Sequence, residues 1–285
     1  MEKENTERTG KTSRGFFDCK GDRISETIIK TTKAAFNYGR DLIFPMATYC
    51  LCCGKYVDST REYCLCDHCI RHIRWGHINI DVGKEDDGTV TARDKSLDSA
   101  RACAFYGLYT RRLIFDLKYD GLTYVARVLG DILADRLLSD PFAADILDVD
   151  LVVPVPIHKN KLRRRGFNQA EKMAGYMCKT LKAKANIAMG MYPQALVRKR
   201  ETQAQRSVSG FERYENLKGA FDLGRGAEDH IKDKKILLID DVYTTGSTGN
   251  VCARVLKAGG AKEVHMLALA TGNNFAEGFF DQMTV

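Results

Sequence analysis

The 285-residue chain lacks several features that would fix its class at once. No stretch approaches the ~20 apolar residues that a membrane helix needs. The first residues, MEKENTERTGKTSRGFFDCKGD, are polar and hold no apolar core, so they do not read as a secretory signal. There is no Gly-x4-Gly-Lys-Ser/Thr, which sets aside a P-loop nucleoside triphosphatase. No Gly-x-Gly-x-x-Gly follows a strand, which argues against a dinucleotide-binding fold. Internal repeats and low-complexity tracts are missing too. These absences predict a cytoplasmic protein with no membrane span.

What is present is ordinary in bulk. The apolar fraction is 44 % and the charged fraction 28 %, enough for one good-sized α/β domain plus a small accessory module. The net charge is +7, from 44 Lys and Arg against 37 Asp and Glu. That excess suits an anionic partner such as phosphate or nucleic acid, although many soluble proteins carry as much. The chain has ten cysteines. In a cytoplasmic protein they read as thiols or metal ligands rather than disulfides.

Along the chain, residues 1–23 are polar and without periodicity, and read as disordered. A loose helical pattern runs over 24–44 and stops at Pro45. A cysteine-rich stretch follows, then a charged segment, DVGKEDDGTVTARDKS, that reads as a linker or exposed hairpin. Beyond Leu97 strands alternate with helices. RACAFYGLY, DLVVPVP, KKILLID and EVHMLALAT have strand character; VARVLGDILADRLL, NQAEKMAGYMCKTLKAK and STGNVCARVLKAGGA have helical spacing. Gly259 and Gly260 mark the end of the last helix, where a left-handed cap belongs. Apolar strands joined by helices predict an α/β fold with a parallel sheet covered on both faces.

The densest signal is KILLIDDVYTTGST, Lys235 to Thr248. In a parallel sheet, ligands sit where strands end and helices begin. Ile236 to Ile239 would be the buried strand, with Asp240 and Asp241 emerging at its end. Adjacent carboxylates repel unless hydroxyls or a cation share them, and sugar diols are suitable partners. Thr244, Thr245, Ser247 and Thr248 offer hydroxyls at a helix start, a place that holds phosphate well, and Gly246 lets the backbone approach closely. The combination predicts a site for a phosphorylated sugar. The plainer alternative is a capped strand–helix connection without a ligand. A second basic segment, HKNKLRRRG, puts Lys159, Lys161, Arg163, Arg164 and Arg165 after another strand, where guanidinium groups could hold a pyrophosphate.

These residues carry a resemblance. ILLIDDVYTTGST is similar to the phosphoribosyl-pyrophosphate (PRPP) signature of type I phosphoribosyltransferases, whose two acids bind the ribose hydroxyls and whose turn cradles the 5′-phosphate. VPVP…RRRGFNQ followed by RKRETQAQRSVSGFERYENLKGAF narrows it. Here the chain resembles the ComF family of competence proteins, matching at Thr202, Gln205, Arg213 and Asn216. The segment LIFDLKYDGLTYVARVLGDILA, with Lys118 as its charged member, matches as well. The resemblance runs from about Asp41 to Leu269 and departs at LALATG, where the family leads one to expect an arginine. It implies that PRPP binds with Mg2+ and that pyrophosphate leaves as a nitrogen acceptor attacks the ribose. No base-recognition element identifies the acceptor. The alternative it implies is a non-catalytic PRPP sensor or a scaffold in competence, with single-stranded DNA and competence-machinery proteins as partners. The oligomeric state stays open.

Six of the cysteines fall between residues 50 and 69. Cys50-x2-Cys53 and Cys66-x2-Cys69 suit one structural zinc held by four thiolates, and ComF-like proteins commonly carry such a ribbon. Cys52 or Cys64 could replace a neighbour, and His68 or His72 could serve as a ligand. A module this short could not build its own core, so the metal would supply its folding energy. The expected organisation is a polar arm and short helix over 1–45, a zinc ribbon over 46–80, a linker over 81–97, and a phosphoribosyltransferase-like domain over 98–285. RKRETQAQRSVSG, polar and ending in Gly, is the expected lid.

Overall fold

Short apolar runs can be buried on both faces only as interior strands of a covered sheet, and the computed structural model has such a sheet at its centre. It describes residues 49–58, 61–82, 96–119, 123–201 and 216–272. The chain divides into two compact units, Met1–Met46 and Ala47–Val285, and every described residue belongs to the second. The expected arm and helix before residue 49, positions 83–95 of the linker, and 202–215 with most of the expected lid lie outside the described residues. So do Thr202, Gln205 and Arg213.

The described strands are β1 (Trp75–Ile80), β2 (Ser99–Phe105), β3 (Leu151–Pro154), β4 (Gly190–Met191), β5 (Leu196–Arg198), β6 (Phe221–Leu223), β7 (Lys235–Tyr243) and β8 (Glu263–Thr271). Six form one sheet in the order β1-β2-β8-β7-β3-β4. All its pairs are parallel except β1 with β2. The small pair β5–β6 is antiparallel. The expected parallel α/β sheet is therefore present, with one antiparallel edge strand, β1, whose Ile78 and Ile80 alternate with exposed His77 and Asn79 in a stretch assigned to the cysteine module.

The helices are α1 (Asp67–His72), α2 (Leu108–Tyr119), α3 (Thr123–Ser139), α4 (Ala144–Leu147), α5 (Lys159–Arg165), α6 (Gln169–Ala185), α7 (Glu228–Ile231) and α8 (Ser247–Ala258). The expected strand RACAFYGLY ends early: β2 stops at Phe105 and the chain turns into α2. Thr110 holds that turn, its hydroxyl accepting from the Gly107 amide at 2.8 Å and donating to the Phe105 carbonyl at 3.1 Å.

Two apolar layers sandwich the sheet. On one face α3 buries Val125, Leu129, Ile132, Leu133 and Leu137 against Met173, Met177 and Leu181 of α6. Their three- and four-residue spacing is what places them on one stripe. Each such fully buried side chain contributes about 1.5–3 kcal/mol relative to exposure. On the other face α8 and the β5–β6 pair cover Ile236, Leu238, Met266 and Ala268.

The chain leaves β3 towards β4 and leaves β7 towards β8, in opposite directions along the sheet. The C-terminal ends of β3 and β7 therefore flank a point where the winding reverses, which is where ligands bind in open α/β sheets. Asn168 links this edge to α6: its amide donates to the Val155 carbonyl at 3.0 Å and its oxygen accepts from the Ala170 amide at 3.1 Å.

The α3–α6 contact is close enough to require glycine. A Cβ on Gly130 would lie 2.5 Å from the Tyr176 Cβ and 2.7 Å from the Met173 carbonyl oxygen. Backbone cannot yield as a side chain tip can. Gly130→Ala is expected to destabilise the protein by about 1–3 kcal/mol, the usual cost of overpacking, read as a lower urea midpoint with an unchanged slope.

Candidate functional site

β7 is longer than the apolar run that predicts it. Asp240 and Asp241 lie within the strand on the β8 side, where Asp240 pairs with Ala268 and Val242 with Ala270. On the β3 side the ladder ends with Pro154 opposite Ile239. The acids thus begin one residue beyond the end of β3, anchored on one flank and open on the other.

Strand alternation points successive side chains to opposite faces, yet Lys118 acts on both acids, more closely on Asp241. Asp241 is 5 % exposed and its carboxylate is paired with the ammonium of Lys118, from α2. Burial pushes the Asp241 carboxyl up, and Lys118 more than reverses this, holding it below the ordinary carboxylate value. Asp240 receives the Asp241 amide on its own oxygen at 2.8 Å. Burial, then the charge of Asp241 beside it, raises Asp240 well above the ordinary value. Asp240 also feels Arg198 at the end of β5, whose guanidinium stands 5.0 Å from the centre of the Phe221 ring.

The turn after β7 is built as its composition predicts. Gly246 is left-handed, with φ of 73°, and precedes α8. A Cβ there would fall 2.3 Å from the Tyr243 phenol oxygen, so the position tolerates no side chain. Thr245 and Ser247 share a hydroxyl–hydroxyl hydrogen bond of 2.8 Å, with Ser247 buried. Thr244 is exposed, and Thr248 half-buried. Asn250 braces the helix start from below, its side-chain oxygen accepting from the Ser96 and Leu97 amides at 3.0 and 3.2 Å.

The basic segment is helical. His158 caps the start of α5, its ring nitrogen accepting from the Asn160 amide at 3.3 Å, and Gly166 ends it with φ of 80°. Helical spacing sorts the cations: Lys161, Arg164 and Arg165 share a face, while Lys159 and Arg163 are exposed elsewhere. Burial and the nearby Arg198 hold the Lys161 ammonium below its ordinary value. Arg165 bonds to Gln169 and lies near enough to Lys118 to oppose its charge. Glu201 closes over this helix, accepting from Asn160 at 2.8 Å and from Arg164 at 3.3 Å, with the His158 ring 3.5 Å away.

Lys118 and Arg198 thus act on the acid pair, with Arg165 near Lys118 and Lys161 near Arg198, whereas Lys159 and Arg163 stay exposed. Arg198 is absent from the residues singled out by sequence. Its only signal was a place in the basic run RKR, whose burial against Phe221 depends on the β5–β6 pairing.

The cysteines form a second centre. The Sγ atoms of Cys50, Cys53, Cys66 and Cys69 all lie within 4.8 Å of one another, with Cys53 and Cys66 at 3.6 Å. Tetrahedral thiolates about 2.3 Å from one metal ion would stand about 3.8 Å apart, so the set fits. Backbone amides already point at the sulfurs: Cys66 donates to Cys50 at 3.3 Å and Cys69 to Cys66 at 3.5 Å. Burial pushes the Cys50 thiol up, but the amides of Cys66, Cys53 and Cys52 bring it to about 7.

Cys52, Cys64, His68 and His72 stay outside that cluster. Cys52 faces the Tyr109 carbonyl at 3.7 Å and is pushed up to about 12 by burial. His68 meets the Tyr109 hydroxyl at 3.1 Å, and His72 the His68 carbonyl at 2.6 Å. The module is not self-contained either. Val57, Leu65 and Ile73 are buried in the same layer as Leu113 and Leu129, and Tyr63 donates to Asp135 of α3 at 2.6 Å. A metal held by the four thiols would thus be one support of this module beside a shared core.

The model of the phosphoribosyl transferase domain matches residues 163–277, which contain β7, the acid pair and the glycine turn. Those residues are similar to a phosphoribosyl transferase domain. Lys118 and the cysteine module lie before the matched residues. Over 221 residues the chain is 25 % identical to Competence protein F of Haemophilus influenzae, covering 78 % of this chain and 89 % of that protein. It is 27 % identical to Competence protein ComFC of Streptococcus pneumoniae, covering 77 % and 98 %. With DNA utilization protein YhgH of Escherichia coli K12 it shares 30 % identity over 157 residues, 55 % of this chain but 65 % of that one, under two thirds of its length. A glutamine PRPP amidotransferase structure from B. subtilis aligns at 17 % identity with a TM-score of 0.32, covering 50 % of this chain and 25 % of that chain, too distant to add weight.

The acid-pair site and the cysteine centre can be tested apart. Purified protein is expected to carry one equivalent of metal per chain, and Cys53→Ser with Cys66→Ser to lose it. Trp75, the single tryptophan, donates to the Ile70 carbonyl at 2.9 Å directly behind the centre. Its emission should shift when a chelator strips the wild type, and metal analysis of the variant checks the stoichiometry.

Proposed function

We propose that this protein binds PRPP together with Mg2+ and transfers its phosphoribosyl group to a nitrogen acceptor, as a cytoplasmic participant in DNA uptake. One observation carries the reading: Asp240 and Asp241 end the β3–β7 pairing and are followed at once by the left-handed Gly246 turn that opens α8. Carboxylates and a helix start are then side by side, a pairing suited to a sugar that bears both hydroxyls and phosphate.

In this reading Asp240 and Asp241 accept from the ribose hydroxyls. The amides at the start of α8, with the hydroxyls of Thr244, Thr245, Ser247 and Thr248, take the 5′-phosphate, and Gly246 keeps the approach open. Lys161, Arg164, Arg165 and Arg198 receive the pyrophosphate, with Lys118 at the border of the two regions. Lys159 and Arg163 contribute longer-range charge only. The bond from C1 to the pyrophosphate oxygen breaks with both electrons going to pyrophosphate. The acceptor nitrogen forms the new bond to C1 with its lone pair and releases a proton to solvent. Mg2+ arrives with the substrate and offsets the charge of its diphosphate. The protein's share is positioning and fixed charge around an oxocarbenium-like state.

The four-cysteine centre is proposed to hold structural zinc, since thiolates with no open position favour that ion. The organisation into a ribbon over 46–80 and a transferase domain over 98–285 belongs to the same proposal. The link to DNA uptake rests on the names of the competence and DNA utilization relatives.

A second reading is supported by Tyr49 and Tyr56, exposed at 64 % and 74 % and edge-to-face at 6.5 Å on the cysteine module beside Lys55. Exposed aromatics among cations suit single-stranded DNA, which would make the protein a PRPP-sensing or DNA-binding scaffold.

Calorimetric titration of the metal-loaded protein with PRPP and Mg2+, beside Asp240→Asn/Asp241→Asn, tests the main reading. Two hydrogen bonds to charged groups at about 1.5–3 kcal/mol each predict an affinity loss of about 10²–10⁴-fold. Wild type that fails to bind PRPP would sink it. Retained DNA binding by the same double variant, weakening linearly in log–log salt, would favour the scaffold.

A further inference from the structure

One acid of the pair already has a cation. Asp241 is buried, and the position a metal ion would take beside it is held by Lys118. Lys118 comes from α2, a different element on the face to which Asp241 points, and its side chain keeps 25 % exposure. An ammonium on a four-carbon stem is a point charge that can be withdrawn without moving the helix that bears it. Arg165 already repels it from the side of the basic helix.

We infer that Lys118 is a resident counter-ion that bars free divalent metal from Asp241 and yields only to a ligand bringing a cation and hydroxyl donors together. This rests on the reading of the site as one for a sugar pyrophosphate bound with Mg2+. Removing Lys118 from a buried carboxylate leaves an uncompensated charge, which is strongly unfavourable. A hydrated Mg2+ dehydrates reluctantly and is a poor replacement alone. A metal–sugar diphosphate complex replaces the lost partner with hydroxyl hydrogen bonds. It also supplies the displaced ammonium with a new partner, the diphosphate lying towards Arg165. Lys118 therefore exchanges a carboxylate for a phosphate as the ligand enters. The site selects the metal-complexed substrate and not the metal first.

The test uses Mn2+ as the probe, read by electron paramagnetic resonance on the full chain with its cysteine centre loaded. Mn2+ prefers oxygen ligands and leaves the thiolates alone. Wild type without PRPP should bind Mn2+ weakly. Lys118→Met keeps the length and removes the charge; it should bind Mn2+ about tenfold or more tightly, a difference of about 1.4 kcal/mol. Adding Asp241→Asn should cancel the gain, and Lys118→Arg should stay like wild type. Equal Mn2+ affinity in Lys118→Met and wild type would overturn the inference, as would Lys118→Arg gaining like Lys118→Met. Should Lys118→Met not fold, wild type alone decides. A tight Mn2+ site without PRPP that Asp241→Asn removes overturns the inference, and weak binding that PRPP strengthens supports it. If wild type binds no PRPP while Lys118→Met still gains Mn2+, the functional reading fails and the counter-ion role stands.

Discussion

The parallel pairing of β3 with β7 is the constraint on which the site depends. Parallel neighbours end at the same edge of a sheet, so the basic helix after one and the glycine turn after the other share one opening. The offset matters as much as the direction. Because Pro154 stands opposite Ile239, the two carboxylates begin where the ladder on that flank has stopped. One residue more of β3 would have paired the backbone of Asp240 on both sides. A β7 that stopped at Ile239 would have carried the acids into the turn and away from Lys118.

Around this edge several of the described charges are set beside a partner. Asp241 has Lys118, Asp240 has Arg198 near it, and the basic helix has Glu201. Buried or half-buried ions without partners are costly, and the protein meets that cost with its own side chains. The cysteine module follows a similar economy. It shares an apolar layer with α2 and α3, so the four-cysteine centre and the helix that delivers Lys118 rest on one packed surface.

Much of the fold was legible because the buried strands and long helices have strong periods. β7, β8, α3, α6 and α8 fall within a few residues of their patterns. The four cysteines were legible from spacing, although spacing left Cys52, Cys64 and His68 open. Only the packing of Cys52 against the Tyr109 carbonyl and of His68 against its hydroxyl decides among them. The basic segment read as a charge run, because its helix is seven residues long and none of its residues is buried. Arg198 was illegible for a different reason. Its place beside Asp240 comes from the β5–β6 pairing, a contact made by three residues from either side of a long insertion.

The Asn168 side chain carries a consequence for how this fold can vary. By bonding the Val155 carbonyl at one end and the Ala170 amide at the other, it pins together the two points where the chain leaves and rejoins the core. Everything between them, α5 included, is an excursion with a fixed base. The entropy of closing such a loop grows only slowly with its length. The segment can therefore be lengthened, shortened or exchanged for one of different charge while the sheet beneath keeps its register. A site of this kind can change its anion without changing its fold.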